Sequence, residues 1–210
     1  MPGWTPIGVE QANAMLRRAI AKVEEGRDFA EVLDELETSP EVRAGLSGAA
    51  ADLAAHGQGL PLARSLDADS LETVAVNAVV GFGSPRQTVD AGLDAIQRGF
   101  SVIKMKVGVA APDVDIERVA MMRTAVGANV ELRLDANGAW DAPTARRVLE
   151  SVAGFGIAFC EEPVAGIDAI ADLGATSPVS VAIDESARTV EEVARALGTG
   201  SIDVVVIKPQ

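Results

Sequence analysis

Aromatic residues, cysteine and positive charge are all scarce in this chain of 210 residues. Only 3% of the residues are aromatic although 48% are hydrophobic, so the core of the folded protein must be largely aliphatic. The formal net charge of −13 disfavours binding to nucleic acids and to anionic membrane surfaces, because both carry negative charge. We therefore expect neither a nucleic acid nor a membrane as a partner.

The cysteine content and the hydrophobic patterning indicate a compartment. Cys160 is the single cysteine, which excludes an internal disulfide and is typical of a reducing environment. The sequence has no apolar run of about 18 residues that could form a membrane-spanning helix. It also lacks a basic N-terminal segment followed by an apolar stretch, as a signal peptide would have. These features predict a cytoplasmic protein and are compatible with a homo-oligomer.

The pattern of apolar residues changes near residue 70. Residues 7 to about 63 carry apolar side chains at helical spacing, and Ser39 followed by Pro40 is a helix-start signal. From residue 73, short β-branched segments alternate with helical patterns, which predicts βαβ units and a parallel sheet. The predicted strands are 73–80, 101–107, 129–135, 157–161, 179–184 and 202–208.

Six such strands fit either a doubly wound open sheet or most of a (β/α)₈ barrel. No glycine-rich phosphate-binding turn follows the first strand, and polar residues recur at the same place in successive strands, so the barrel is favoured. We expect an α/β protein whose residues 71–210 form a partial barrel of about six strands. A helical domain in residues 1–70 precedes it.

Ionisable residues stand at the ends of five successive predicted strands. They are Lys106, Asp135, Glu161, Asp184 and Lys208. The carboxyl ends of barrel strands form the mouth of the active site, and buried charges are costly unless they are paired or bind a metal. Three converging carboxylates without histidine or cysteine suit Mg²⁺, with Mn²⁺ as the alternative.

Each of these residues, taken alone, also has a structural interpretation. A single Asp at a strand end, such as Asp135, is commonly a turn former, and Lys104 with Lys106 could lie on the solvated face of an edge strand. Those interpretations need five separate coincidences, whereas a shared site needs one cause. Cys160 should point away from Glu161 because neighbouring strand residues face opposite sides, so we expect it in the core.

Five motifs, in this order, resemble the muconate-lactonising branch of the enolase superfamily. They are I-K-M-K-V-G (103–108), L-R-L-D-A-N-G-A-W (132–140), C-E-E-P (160–163), A-I-D-E-S (182–186) and V-I-K-P (206–209). Residues 1–70 are similar to the helical part of that family's capping domain, and P-G-W-T-P (2–6) resembles its loop over the active site. The capping β-sheet and barrel strands seven and eight have no counterpart here, so we expect an incomplete barrel.

The resemblance implies a role for each residue at the strand ends. Lys106 corresponds to the acid/base that removes a proton next to a carboxylate, and Lys208 to the lysine on the opposite side of the substrate. The implied Mg²⁺ ligands are Asp135, Glu161 and Asp184. Binding of a small carboxylate substrate is assigned to Lys104, Arg133 and Asn137.

One segment bears on the overall reaction. V-A-V-N-A-V-V-G (74–81) resembles the first barrel strand of o-succinylbenzoate synthases. We therefore expect a Mg²⁺-dependent carbon–oxygen lyase that forms an enediolate and dehydrates its substrate to o-succinylbenzoate in menaquinone synthesis. The alternatives are a dipeptide epimerase or N-acylamino acid racemase of the same branch, a Schiff-base aldolase using Lys106 or Lys208, and an inactive truncated fragment.

Overall fold

The protein is described by a computed structural model over residues 7–36 and 38–208, which form two compact units. One unit contains the described residues up to Val74 together with Lys208, and the other spans Ala75–Ile207. The P-G-W-T-P segment (2–6) lies outside the described residues. The predicted domain limits, 1–70 and 71–210, stay a prediction.

The described part of the first unit is helical. Its helices are α1 (Val9–Glu24), α2 (Phe29–Asp34), α3 (Pro40–Gly57) and α4 (Leu62–Leu66). Ser39 and Pro40 begin α3 as predicted, because the first helical residue needs no backbone N–H partner and tolerates proline. Ala19, Val32, Leu36 and Val42 form the small core of this unit.

The second unit alternates strands and helices. In chain order it contains β1 (Ala78–Val80), α5 (Pro85–Gln97), β2 (Val102–Lys106), α6 (Pro112–Val126), β3 (Glu131–Asp135), α7 (Ala142–Val152), β4 (Ile157–Glu161), α8 (Ile167–Gly174), β5 (Val181–Ile183), α9 (Val190–Gly198) and β6 (Val204–Val205). All neighbouring strands are parallel and follow each other in sequence order. The α/β prediction with a partial barrel of six strands is therefore confirmed.

The first, fifth and last strands are shorter than predicted, and β5 covers only Val181–Ile183 of the segment 179–184. Only Ala78–Val80 of the segment 73–80, and only Val204–Val205 of the segment 202–208, form strand. In the described sheet, β1 and β6 each pair with one neighbour only. A residue counts as strand only where its backbone bonds to a neighbour, so apolar sequence alone overestimates edge strands.

The core of the second unit is aliphatic and lies on one face of the sheet. Ile103, Met105, Leu132 and Leu134 of β2 and β3 are completely buried and belong to one cluster with residues of the covering helices. Because strand side chains alternate, Lys104 and Lys106 point to the opposite face. No helix in the described ranges is long and apolar enough to cross a bilayer.

Candidate active site

Three neighbouring strands deliver charged side chains to the same level of the sheet. Lys106 at the end of β2 pairs in register with Asp135 of β3, and Asp135 pairs with Glu161 of β4. Asp184 follows β5 directly. The three carboxylates are nearly inaccessible, with exposed fractions of 1% for Asp135, 2% for Glu161 and 6% for Asp184. Parallel pairing thus brings residues far apart in sequence to one place.

Two lysines neutralise these carboxylates. Lys106 Nζ lies 2.6 Å from Asp135 Oδ2. Lys104 Nζ lies 2.8 Å from the same oxygen and 3.0 Å from Glu161 Oε2, so it bridges β3 and β4. Both lysine side chains keep 19% of their surface exposed, which leaves them accessible from the solvent side. The cluster therefore combines buried negative charge with reachable ammonium groups.

The electrostatics of the carboxylates differ although they are neighbours. Burial alone would raise the pKa of Asp135, yet that pKa is lowered because Lys104 and Lys106 both bind the carboxylate. Burial and the charge of Asp135 raise the pKa of Glu161 to about 7, against the opposing effect of Lys104. A hydrogen bond with the Asp184 side chain is a smaller contribution in the same raising direction. The Asp184 side chain thus lies within hydrogen-bond distance of Glu161.

The donor set suits a hard divalent cation. Among the described residues, no three His, Cys, Asp or Glu side chains stand in a metal-binding arrangement. Lys104 Nζ lies 2.8–3.1 Å from carboxylate oxygens of Asp135 and Glu161, two of the residues that would hold a cation. All nearby acceptors are oxygens, which Mg²⁺ prefers. A bound cation would favour the ionised form of Glu161 and so oppose the raised pKa of this carboxyl.

Asn137 connects the lysine cluster to β5. Lys106 Nζ donates to Asn137 Oδ1 at 2.7 Å, and Asn137 Nδ2 donates to Glu185 Oε1 at 2.9 Å. Its backbone has φ of 47°, in the left-handed region that asparagine tolerates better than most residues. The backbone N–H of Asn137 donates to Asp135 Oδ1 at 3.1 Å. Asn137 thus fixes the orientation of both the lysine and the carboxylate.

Glu162 is a buried carboxylate that contacts the main chain of Asp184. The Glu162 side chain is 1% exposed and accepts a hydrogen bond from the backbone N–H of Asp184 at 2.8 Å and another from the Ser186 hydroxyl. Its φ is 43°, an unfavourable value for glutamate that the surrounding hydrogen bonds hold in place. Burial raises the pKa of this carboxyl.

The contacts of Arg133 and the position of Lys208 do not test the roles predicted for these two residues. The Arg133 guanidinium binds Glu131 Oε1 at 2.6 Å and lies 5.0 Å from the centre of the Phe159 ring. Lys208 follows β6, is exposed, and belongs with the first compact unit. The roles of Arg133 in substrate binding and of Lys208 in catalysis stay predictions.

A buried ion pair that was not predicted from the sequence lies close to the cluster. Asp115 and Arg118 of α6 are both fully buried, and their side chains are 2.8 Å apart. Charged residues three apart in a helix normally lie on its solvated face, so their spacing carried no signal of burial. Their depth follows from the packing of α5 and α6 around the ends of β1 and β2.

The order of strands and the charged residues at their ends match a known family. The family model described as Enolase C-terminal domain-like matches residues 87–210. The chain belongs to this family. The chain is similar to the hydrophobic dipeptide epimerase of Enterococcus faecalis, with 30% identity over 85% of this chain and 51% of the relative. It is also similar to the o-succinylbenzoate synthase of Thermobifida fusca, with 34% identity over 66% of this chain and 44% of the synthase.

The solved structures agree on the fold. A dipeptide epimerase from Enterococcus faecalis, complexed with Mg and L-Leu-L-Tyr, superposes with a TM-score of 0.85 at 23% identity. The match covers 96% of this chain and 58% of that structure. Further relatives are named muconate cycloisomerase and N-succinyl-L-Arg/Lys racemase. The names of these relatives span several overall reactions, and the chain spans about half the length of the epimerase it matches.

Proposed function

We propose that this chain carries the site of a Mg²⁺-dependent enzyme that removes a proton next to the carboxylate of a small substrate. The observation that carries the proposal is the register of β2, β3 and β4, which sets Lys106 against Asp135 and Asp135 against Glu161. Asp135, Glu161 and Asp184 would hold the ion. When bound, Mg²⁺ would supply the positive charge that makes such a proton more acidic.

The residues of the chain supply the proton transfer and the substrate contacts. Lys106 accepts the proton in its neutral form, and the resulting ammonium is stabilised by Asp135 and Asn137, which lie 2.6 and 2.7 Å away. Lys104, with its reachable ammonium group, binds the carboxylate of the substrate. Lys208 provides positive charge or a second acid/base. We also propose that the partner of the chain is a small carboxylate substrate and that the protein is cytoplasmic.

For the overall reaction, we favour dehydration to o-succinylbenzoate, a carbon–oxygen lyase reaction of menaquinone synthesis. The segment V-A-V-N-A-V-V-G (74–81) supports it, and so does the similarity to the Thermobifida fusca synthase. One base is sufficient for this reaction, because the same lysine can remove the proton and assist departure of the hydroxyl group.

Epimerisation of a dipeptide is the second candidate. It is favoured by the match to the Enterococcus faecalis epimerase, which covers 85% of this chain. Epimerisation needs proton removal on one face of the substrate and return on the other, so both Lys106 and Lys208 would have to exchange protons. The two candidates therefore differ in what Lys208 must do.

The test is to incubate the chain with Mg²⁺ in D₂O, either with the cyclohexadiene carboxylate precursor of o-succinylbenzoate or with dipeptides. Lys106→Ala should lower turnover by about 10²–10⁴-fold, the usual cost of losing a general base, while Mg²⁺ still binds. Lys22→Ala, at a helix surface outside the cluster, is the matched control and should keep full activity. Normal rates in Lys106→Ala would refute the assignment of the base.

Lys208→Arg distinguishes the two reactions. Arginine keeps the positive charge but is essentially never deprotonated, so it cannot act as a base. A synthase should retain measurable dehydration in this variant. If the unaltered chain shows no dehydration, and the variant loses deuterium exchange from one epimer but keeps it from the other, the enzyme is a two-base epimerase.

A further inference from the structure

A fully buried arginine on α6 contacts the main chain at the end of β2. The guanidinium of Arg118 donates from Nη1 to the carbonyl of Lys106 at 2.9 Å and from Nη2 to the carbonyl of Gly81 at 2.8 Å. Its Nε donates to Thr88 Oγ1 of α5 at 2.9 Å. Asp115 supplies the balancing charge, with its Oδ1 2.8 Å from Nη1. One side chain thus binds two strand ends and two helices.

The guanidinium of Arg118 bonds to the first residue pair beyond the hydrogen-bonded ladder of β1 and β2. The pairing of β1 with β2 ends at Val80 and Met105. Gly81 and Lys106 are the next residues on the two strands, and both of their carbonyls accept hydrogen bonds from Arg118. A planar, permanently charged fork of donors can satisfy two carbonyls at once, which a lysine ammonium at the same place could not do with the same geometry. Arg118 therefore links the main chains of Gly81 and Lys106, where no ladder pair of β1 and β2 joins them.

Asp115 anchors the turn that follows Lys106. Its Oδ2 accepts a hydrogen bond from the backbone N–H of Gly108 at 2.8 Å. Gly108 has φ of 91°, and a Cβ there would lie 2.7 Å from Ala139 Cβ. The chain leaving Lys106 is therefore held between Asp115 on one side and the loop after β3 on the other.

We propose that Arg118, supported by Asp115, is a positioning residue for the Lys106 side chain. This inference rests on the proposed function of Lys106 as the base. The main-chain atoms of Lys106 are fixed by Arg118 and by the ladder to β3, and the direction of its Cα–Cβ bond follows from them. Lys106 Nζ then reaches Asp135 and Asn137 at hydrogen-bond distance, on the opposite face of the sheet from Arg118.

The expected cost is in catalysis rather than in substrate binding. A displacement of a reacting group by about 1 Å can lower a rate by about 10²-fold. Loss of Arg118 should therefore lower kcat by about 10²-fold and change KM by less than about threefold, because Arg118 does not reach the open face where a substrate binds. A purely structural role would change stability without this split.

Arg123 offers a matched control on the same helix. Its guanidinium binds the carbonyls of Phe155, Gly127, Val130 and Gly156 at 2.7–3.0 Å. These carbonyls precede β3 and β4, at the end of the sheet away from Lys106. Arg123→Met and Arg118→Met thus remove the same chemical group and similar backbone contacts, but from opposite ends of the strands.

The experiment uses lysine labelled with ¹³C at Cε, because the chain contains only four lysines: Lys22, Lys104, Lys106 and Lys208. The spectrum of Lys106→Met assigns the Lys106 signal. Arg118→Met should shift this signal at constant pH and leave that of Lys22 unchanged. If the lone charge of Asp115 prevents folding, the double variant Asp115→Asn with Arg118→Met removes both charges and tests the same contact.

The outcomes separate this inference from the proposed function. A Lys106 shift with the kcat loss in an Arg118 variant, and neither in Arg123→Met, supports the positioning role. An unshifted Lys106 signal in a folded Arg118 variant overturns it, as does an equal shift in Arg123→Met. If Lys106→Met itself turns over substrate normally, the proposed function fails, while the ¹³C shift still decides whether Arg118 positions Lys106.

Discussion

Replacing Lys104 with methionine should tighten Mg²⁺ binding. Lys104 Nζ lies 2.8 Å from Asp135 Oδ2 and 3.0 Å from Glu161 Oε2, so an ion that binds both carboxylates must displace it. A charge-assisted hydrogen bond contributes about 1.5–3 kcal/mol, and with 19% of the side chain exposed we take the lower value for each of the two. The two bonds together contribute about 3 kcal/mol, so removal of the competing ammonium should strengthen Mg²⁺ binding by about 100-fold.

Titration calorimetry at pH 8 measures this difference, since Glu161, with a pKa of about 7, is then mostly ionised before any substitution. The metal-free variant should be less stable than the original chain, because two buried carboxylates lose a counter-charge, and Mg²⁺ should restore its melting temperature. Lys22→Met is the control, since Lys22 pairs with Glu35 on the helical unit. Equal or weaker Mg²⁺ binding in Lys104→Met would show that these carboxylates do not hold the ion.

Three further predictions follow from burial and packing. Mg²⁺ should raise the melting temperature more at pH 8 than at pH 6. Burial and the charge of Asp135 raise the pKa of Glu161 to about 7, and a protonated carboxyl is a poor ligand. Equal shifts of the melting temperature at the two pH values would contradict this. Cys160 should react with a thiol reagent only at the rate of unfolding, since the residue is completely buried and burial raises the pKa of its thiol. Fast labelling of the folded protein would contradict this. Gly174→Ala should destabilise the fold by about 1–3 kcal/mol in urea unfolding, because the new Cβ would lie 2.2 Å from the Ser201 carbonyl oxygen. Gly198→Ala, with open space around it, is the control and should be nearly neutral.

Several features of the fold could be predicted because their causes are local. The alternation of β-branched and helical segments gave six parallel strands in the right order. Thr189 and Glu192 form a capping box at the start of α9, a pattern set by residues three apart in the sequence. The lengths of β1 and β6 were wrong, because pairing partners set the extent of an edge strand and the residue types do not.

The candidate site was only partly predictable for a similar reason. Period-two alternation put Lys104, Lys106 and Asp135 on one face, and Cys160 in the core, from sequence alone. Alternation gave Arg133 the same face as Asp135, but it could not show that Arg133 binds Glu131 and stacks on Phe159. Glu131 lies two residues before Arg133 on the same strand, whereas the contact with Phe159 depends on how β3 and β4 lie across from each other.

The residue types of an oxygen-rich site and the strands that carry them follow from the amino-acid sequence, because strand period and strand-end position are properties of short segments. The tertiary structure was needed to place Lys104 between Asp135 and Glu161, since that contact requires the register between β2, β3 and β4. It alone also decided that Asp115 and Arg118 are buried. A charged pair on a helix becomes interior only when other elements cover it, and α5 with the ends of β1 and β2 supplies that cover through Thr88, Gly81 and Lys106.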